Sequence, residues 1–334
     1  MTIKDIAALA NVGVSTVSRV LNNHPDVHDE TRKKILEIIK EYNYVPNNSA
    51  RILKQTYTKN IGILVKGVFN PFFSEILKRV SVGIQEAGYT MILQHHNHKN
   101  DIGTLLGFIK EKRLQGIICL GGNFVDLTDD DLEEVDIPIV LLSVDSVTRK
   151  NLKRCSSISI NNEQAAYRAV EYLIQKGHQK IGIILGEKSD FGISKARYQG
   201  YKKALEAHKI EIENKWVAYG EYEYEDAYRV GKKMLQDDPE MTAIFAISDI
   251  MAVGVAKASM DLGKKVGEDL SIMGFDGMEI TRYYHPSITT MKQPKDEMSR
   301  LSVALLLELL DKKRENTHIF LDVELVEGQS VVKR

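Results

Sequence analysis

From Ile61 onward the chain repeats one device: a short, unbroken apolar run followed by a segment of helical periodicity. The runs Ile61–Val65, Thr90–Leu93, Gly116–Leu120, Ile139–Leu142 and Ser157–Ile160 form a first series. Lys180–Leu185, Trp216–Ala218, Ala243–Ile247 and Leu270–Met273 form a second. Between them lie amphipathic stretches such as Phe73–Ala87, Glu163–Lys176, Lys195–Ala207, Asp226–Leu235, Ile250–Asp261 and Lys295–Leu310. A strand that is apolar along its whole length is buried on both faces. Alternating with helices, such strands make parallel sheets covered by helices on both sides. In a chain of 334 residues, two such sheets are expected rather than one.

Residues 1–45 follow a different rule and read as three short helices. Thr2 and Asp5 form a capping-box-like start, with Ile3, Ile6 and Ala10 on one face. Asn11-Val12-Gly13 breaks that helix. A second helix carries Val17, Val20 and Leu21 inward and Ser15, Thr16, Ser18, Arg19 and Asn22 on the opposite face. Asp29 and Glu30 open a third, with Thr31, Ile35, Ile38 and Tyr42 at helical spacing, and Pro46 closes the unit. Helix, turn and short helix with a polar outer face match a helix-turn-helix; the alternative is a small bundle with a solvated polar face. Charge is asymmetric in the same sense. Residues 1–60 hold nine Lys/Arg against six Asp/Glu, the rest 36 against 40, as expected when only the first segment meets phosphate. Residues 46–60 are a polar linker in which Ser49–Lys54 could form a turn and a half of helix, too short to be stable in isolation.

Several function classes drop out. The longest stretch without Asp, Glu, Lys or Arg is the thirteen residues Ile6–Ser18, well short of the roughly 20 apolar residues of a membrane span. The start MTIKDIAALA has neither the basic nor the apolar region of a secretory signal, so no membrane association and a cytoplasmic location are expected. Cys119 and Cys155 sit in or beside apolar runs and read as structural thiols without a CxxC zinc pattern. No Walker loop, GxGxxG or GxSxG occurs, so neither a nucleotide site nor a serine hydrolase is supported. His95, His96 and His98 lack metal-ligand spacing and read as polar residues at a cleft rim. The expectation is no enzyme, no cofactor and no metal.

TIKDIAALANVGVSTVSRVLNN followed by TRKKILEIIKEYNYVPNNSARILK closely resembles the DNA-binding headpiece of the lactose-repressor (LacI/GalR) family over residues 2–54. Further along, Asn70-Pro71-Phe72-Phe73, Lys176-Gly177-His178, Arg197-Tyr198-Gln199-Gly200-Tyr201, Ser248-Asp249, Gly274-Phe275-Asp276 and Pro286-Ser287-Ile288-Thr289-Thr290 resemble that family's effector domain. The resemblance implies an all-α helix-turn-helix headpiece on an α/β body like the periplasmic sugar-binding proteins, with two doubly wound lobes. The implied division is a headpiece at 1–46, a hinge helix and linker at 47–60, an N-lobe at 61–160 plus 291–320, and a C-lobe at 161–290 plus 321–334.

Its implied function is a transcriptional repressor of carbohydrate-utilisation genes. It would act as a homodimer on a pseudo-palindromic double-stranded operator, with affinity set by a sugar in the interlobe cleft. In the headpiece, Val14, Ser15 and Arg19 would reach base edges, and Thr16, Ser18 and Asn22 would meet phosphates. The hinge helix would form on DNA, with Leu53 wedged into the minor groove and Asn48, Ala50 and Arg51 along it. Gly13 stands where the family usually has Ser or Thr. In the cleft the implied effector residues are Asn70, Phe72, Phe73, Arg197, Tyr222, Ser248, Asp249, Asp276 and Gln293. Arg197 with Asp276 would suit vicinal sugar hydroxyls, and one of Phe72 and Phe73 is expected in the pocket with the other buried. Ser143 replaces an Asp common in the family, with Asp145 two residues on. The face Ile76, Val80, Ile84 and Ala87 of the first body helix reads as the dimer surface, with packing into the core as the alternative. Three alternatives stay open: control by a phosphorylated carrier protein, a solute-binding protein without DNA function, and an enzyme on an α/β scaffold.

Overall fold

A computed structural model describes residues 1–21, 24–42, 59–67, 71–97, 99–144 and 152–334 of the chain. It divides into two compact units, Met1–Thr58 and Lys59–Arg334.

In the first unit, helices α1 (Ile3–Ala10), α2 (Val14–Leu21) and α3 (Asp29–Glu41) enclose a small core of Ile6, Ala7, Ala10, Val17, Val20, Val27 and Ile35. The start of α1 is fixed by Asp5, whose carboxylate accepts from the Thr2 backbone N–H at 2.7 Å and the Thr2 hydroxyl at 3.0 Å. The Thr2 N–H bond, first of all, holds that carboxyl below its usual range. Asn11 ends the helix in a left-handed conformation (φ 54°) and turns the chain into α2. A Cβ at Gly13 would meet only the Ser15 hydroxyl at 3.4 Å and Thr16 at 3.9 Å, so nothing in the backbone demands glycine there.

The second unit holds two six-stranded sheets. The first contains β1 (Asn60–Lys66), β2 (Thr90–His96), β3 (Gly116–Leu120), β4 (Ile139–Leu142), β5 (Ser156–Ile160) and β11 (His318–Leu321), in the order β11-β5-β4-β3-β1-β2. The second contains β6 (Ile181–Leu185), β7 (Val217–Tyr219), β8 (Ala243–Ala246), β9 (Ser271–Asp276), β10 (Thr289–Lys292) and β12 (Glu324–Val326), in the order β12-β10-β9-β8-β6-β7. All pairings are parallel except β10 with β12. Successive strand residues point to opposite faces, and the burial follows suit. Ile61, Ile63, Val65, Ile118 and Leu120 pack with α4 (Pro71–Glu86) and α11 (Lys295–Leu310), whereas Leu64, Ile117 and Cys119 pack with α5 (Asp101–Lys112). The second sheet is covered by α6 (Asn162–Gln175), α7 (Ile193–Ala207), α8 (Tyr224–Asp237) and α9 (Asp249–Asp261), with a short α10 (Ile280–Tyr283) following β9. Each fully buried Ile or Leu contributes about 1.5–3 kcal/mol, so these two cores supply the driving force for the body. Cys119 and Cys155 are free, buried thiols, and burial pushes both up, so neither is a ready thiolate.

The chain passes between the sheets three times: after β5, after β10 and after β11. Because β10 pairs with β9 through Lys292, the second passage falls after Lys292 rather than between 290 and 291. The third falls after Leu321, the last residue of β11. A second difference concerns α4. Ile76, Val80 and Ile84 are at most 1% exposed and lie in the first-lobe core with Val303, Leu305 and Leu306 of α11. That face is core, so it cannot also be a dimer surface. Its helical spacing reported burial against α11, which sequence periodicity cannot distinguish from burial against a partner.

Helix pairs in the second lobe approach through glycine. A Cβ on Gly200 of α7 would lie 2.1 Å from the Glu163 carbonyl oxygen and 2.8 Å from the Tyr167 nitrogen of α6. Both are backbone, so the contact can be relieved only by moving a helix. We expect Gly200→Ala to destabilise the body by about 3 kcal/mol, at the upper end for overpacking, and to lower its melting temperature in calorimetry. A wild-type melting temperature would refute this close approach.

Candidate functional site

The parallel strands of each lobe end at a shared cleft. A cavity of about 450 Å³ is lined by residues that follow β1 (Gly67), β2 (Asn97, Lys99), β3 (Gly121, Gly122, Asn123), β4 (Ser143), β6 (Glu187, Ser189, Asp190), β7 (Glu221, Tyr222, Glu223) and β10 (Gln293), with Lys66 closing β1 and Asp276 closing β9. This is where ligands bind in open α/β sheets, and the volume suits a small organic molecule.

Arg197 enters from the first turns of α7 and is 3% exposed. Its Nε donates to Asn162 Oδ1 at 3.0 Å and its Nη1 to the Ile247 carbonyl. Its guanidinium carbon lies 3.5 Å from the centre of the Phe275 ring. The planar cation is thus stacked and hydrogen-bonded before any ligand arrives. Asp276 lies 3.7 Å from Arg197 Nη1, an ion pair without a direct hydrogen bond. The carboxylate instead accepts from Gln293 Nε2 at 2.7 Å. Asp276 has φ 108°, a conformation that L residues rarely adopt and that costs of order 1–3 kcal/mol. Gln293 is 1% exposed, and its Oε1 is a buried acceptor with no hydrogen-bond partner among the described residues. An unsatisfied buried acceptor costs about 1–3 kcal/mol, which a ligand hydroxyl would recover.

Two aromatic walls complete the cavity. Phe72 is 2% exposed and packed into the first-lobe core, while Phe73 is half-buried, with ring centres 5.5 Å apart. Tyr222 sits on the second lobe at φ 57° and donates to Asp190 Oδ2 at 2.8 Å. Its ring packs onto Gly186 at the end of β6, where a Cβ would fall 2.1 Å from the ring. Burial first, then the Asp190 charge, push the Tyr222 hydroxyl well above its ordinary range, so it stays a donor.

Of the nine residues expected in the cleft, Phe72, Phe73, Arg197, Tyr222, Asp276 and Gln293 line the cavity. Asn70 lies outside the described residues. Ser248 and Asp249 do not line it, which corrects their expected place. Ser248 is the N-cap of α9, accepting from the Met251 N–H at 3.4 Å. Asp249 is 0% exposed and accepts from the Met278 N–H at 2.6 Å and the Thr290 hydroxyl at 2.7 Å. It braces the turn after β9 from beneath, and a short polar pair after a strand looks alike in sequence whether it caps a helix or faces a ligand. Ser143 lines the cavity at φ 58°, and Asp145 lies outside the described residues.

About half of the cavity residues that sequence reasoning missed are charged. Asp101 is 2% exposed, pairs with Lys66 at 2.9 Å and accepts from the Asn123 N–H at 2.6 Å. Asp190 accepts from the Gly192 N–H at 2.9 Å and the Ser194 N–H at 3.1 Å. The available signal was position: each follows a strand of the parallel series within a few residues. His95 contacts the Gly67 carbonyl at 3.2 Å and His96 lies 3.6 Å from Asp101, while His98 is outside the described residues. No group of three or more His, Cys, Asp or Glu suited to a metal ion occurs among the described residues.

Lys295, at the start of α11, bridges the lobes. Its ammonium pairs with Glu75 of α4 at 2.7 Å and donates to the Gly277 carbonyl of the second lobe at 3.1 Å. Ile250 and Met278 of the second lobe join the first-lobe core beside it.

The other candidate surface is the outer face of α2. Val14 (41% exposed), Ser15 and Arg19 are exposed, and Thr16 and Ser18 are half-buried. Arg19 pairs with Asp26 at 3.2 Å, an exposed pair worth at most about 1 kcal/mol and readily exchanged for another partner. Asn22, Asn48, Ala50, Arg51 and Leu53 lie outside the described residues.

Residues 2–47 match the family described as bacterial regulatory proteins, lacI family, and residues 170–331 match the periplasmic binding protein-like domain. The chain is 54% identical over 332 residues to the HTH-type transcriptional regulator MalR of Clostridium butyricum, covering 99% of each chain. It is 35% identical over 335 residues to the HTH-type transcriptional repressor PurR of Proteus mirabilis (strain HI4320), covering 99% of this chain and 96% of that one. Among solved structures it resembles the lac repressor dimer bound to operator and the anti-inducer ONPF (TM-score 0.79, 25% identity, 99% of each chain). It also resembles the transcriptional regulator CelR–cellobiose complex (TM-score 0.71, 27% identity, 99% of each chain).

Burial pushes the Asp276 carboxyl up to about 6, against the opposing pull of Arg197 and Gln293. The fold therefore favours the neutral acid, and the stability this lends is lost as pH rises through about 6. Asn mimics the neutral acid. The melting temperature of Asp276→Asn should gain on that of the wild type between about pH 5 and pH 7. An offset that does not change with pH would place the titration elsewhere.

Proposed function

The chain belongs to the lacI family of bacterial regulatory proteins, and we propose that it is a homodimeric repressor whose operator affinity is set by a sugar bound between the lobes. Its curated relatives are transcriptional regulators, and this chain is a DNA-binding regulator rather than an enzyme. No helix among the described residues is long and apolar enough to cross a membrane, which suits a regulator working in the cytoplasm.

The observation that carries the effector reading is the arrangement of Arg197, Asp276 and Gln293 under two aromatic walls. It offers a fixed donor fork, a carboxylate acceptor and an unsatisfied amide acceptor to hydroxyl groups, and aromatic rings to the apolar face of a sugar ring. A neighbour in structure is a regulator in complex with cellobiose, which supports a sugar-sized occupant. A ligand touching residues of both lobes stabilises one interlobe arrangement over another. Lys295, held to both lobes, lies where that difference is felt. A coupling of about 1–3 kcal/mol to DNA binding is typical of such allostery.

On the DNA side, the exposed face of α2 supports insertion into the major groove, with Arg19 exchanging Asp26 for a guanine edge. Thr16 and Ser18 would set register on phosphates, and segment 47–60 would supply the hinge contacts through Asn48, Ala50, Arg51 and Leu53.

Two tests follow. For operators recovered by selection from random duplexes, Arg19→Ala should lose about 1–3 kcal/mol of discrimination at one base pair per half-site. Wild-type affinity should fall about 10³–10⁵-fold between about 50 and 200 mM salt, given roughly 6–10 phosphate contacts. A flat salt response would sink the headpiece assignment. In thermal unfolding against a panel of neutral sugars, one binding at about 100 times its Kd should stabilise the body by about 2.7 kcal/mol, and Gln293→Ala should abolish that shift. If no sugar moves the melting temperature, the sugar reading fails and the DNA assignment stands.

A further inference from the structure

We infer that the cleft takes an uncharged ligand and turns away phosphorylated or carboxylated ones, with Asp190 serving as a built-in anion that fills the seat a phosphate would need. The inference rests on the cleft being the effector site and narrows what that effector is.

An external phosphate in such a cleft would look for two things: unengaged cations, and backbone N–H groups where a strand turns into a helix. Among the described residues the chain itself engages the N–H groups of Gly192, Ser194 and Asn123 and the cations Lys66 and Arg197. The N–H groups of Gly192 and Ser194, at the mouth of α7, are bonded to the two carboxylate oxygens of Asp190, at 2.9 and 3.1 Å. Tyr222 locks that carboxylate from the cavity side at 2.8 Å. On the first lobe the Asn123 N–H is held in the same way by Asp101 at 2.6 Å. Among the lining cations, Lys66 is paired with Asp101 at 2.9 Å, and Arg197 is bonded to Asn162 and to the Ile247 carbonyl and stacked on Phe275. Lys99 is the exposed one.

The charge balance points the same way. Described residues lining the cavity include Asp101, Glu187, Asp190, Glu221, Glu223 and Asp276 against Lys66, Lys99 and Arg197. Counting all of residues 145–151 as well, with Asp145, Arg149 and Lys150, leaves the balance negative. Residues 68–70 carry no charge. Burial, then the neighbouring charges of Glu187 and Asp226, hold the Glu221 carboxyl above its usual range, as a negative field would. Meanwhile the buried Gln293 Oε1 still calls for a hydroxyl group. Polar demand beside engaged N–H groups and a net negative lining among the described residues describes a neutral polyhydroxy ligand.

The test reads the cleft without needing its natural ligand. A cysteine introduced by Ser189→Cys at the cavity lip is modified by cationic and anionic thiosulfonates of equal size, with Lys110→Cys at an exposed position of α5 as the reference. The native thiols are 1% and 0% exposed and stay silent. The cation-to-anion rate ratio at 189 should exceed the reference by about 10-fold or more, and should shrink as salt is added. In parallel, inorganic phosphate is titrated into wild type and Asp190→Ala by calorimetry, with chloride at equal ionic strength as control. Wild type should show no phosphate binding, and Asp190→Ala should bind it at least about 10-fold more tightly once the two N–H groups are released. A ratio at 189 equal to or below the reference overturns the inference. So does phosphate binding to wild type, or a failure of folded Asp190→Ala to gain it. If Asp190→Ala does not fold, the labelling ratio decides alone. None of these outcomes depends on the neutral-sugar panel, so a failed panel sinks the sugar reading and a failed ratio sinks this one.

Discussion

Every strand of the two sheets except β12 runs parallel to its neighbours, so backbone hydrogen bonding alone sends the carboxyl ends of β1 to β4 to one edge of the first lobe. The same rule sends those of β6, β7, β9 and β10 to one edge of the second. Strand ends are where the chain leaves the apolar interior and can present polar side chains. The three passages between the lobes hold the two edges face to face. The cavity is therefore a product of sheet polarity, and its lining is a set of residues that share one topological position, the first few after a strand.

That position also explains why buried charge is tolerated in a protein otherwise closed by hydrocarbon. Burial and then the Asp276 charge push Asp249 well above the ordinary carboxylate range, and burial raises Asp276 as well. Two carboxylates so close are costly unless fully engaged. Asp249 is engaged by the Met278 N–H and the Thr290 hydroxyl, Asp276 by Gln293, and both feel the positive charge of Lys295. The result is a polar plate beneath the cleft, joined to the first lobe through Lys295 and Glu75. A hydrocarbon plate would hold the fold better. A polar one can be read by a ligand and passed to the neighbouring lobe.

Much of this was legible before the structure. The strand series and the helices between them came from periodicity, and the helix-turn-helix from three short amphipathic segments with a polar outer face. Arg197, Tyr222, Asp276 and Gln293 were expected in the cleft by resemblance and line the cavity. Other residues were misjudged for identifiable reasons. Ile76, Val80 and Ile84 repeat at helical spacing whether they face α11 or a second subunit. Ser248 and Asp249 follow a strand as site residues do, yet one caps a helix and the other braces a turn. Asp101 and Asp190 were passed over because a lone acidic residue in a polar loop gives no sign of what its oxygens will bind.

The sequence by itself determined the local periods, the order of strands and helices, the charge asymmetry between the first 60 residues and the rest, and the identity of the groups available to a ligand. These are properties of neighbours along the chain. Only the tertiary structure decided which of those groups meet. Asp190 fills the mouth of α7 because Gly192 and Ser194 turn their N–H groups toward it, and Tyr222, 32 residues away, closes over it. Lys295 reaches Glu75 and Gly277 because α11 returns to the first lobe after β10 has completed the second. Hydrogen bonds and ion pairs act over a few ångströms of space. The distance along the chain that separates their partners carries no trace of them until the sheets have formed.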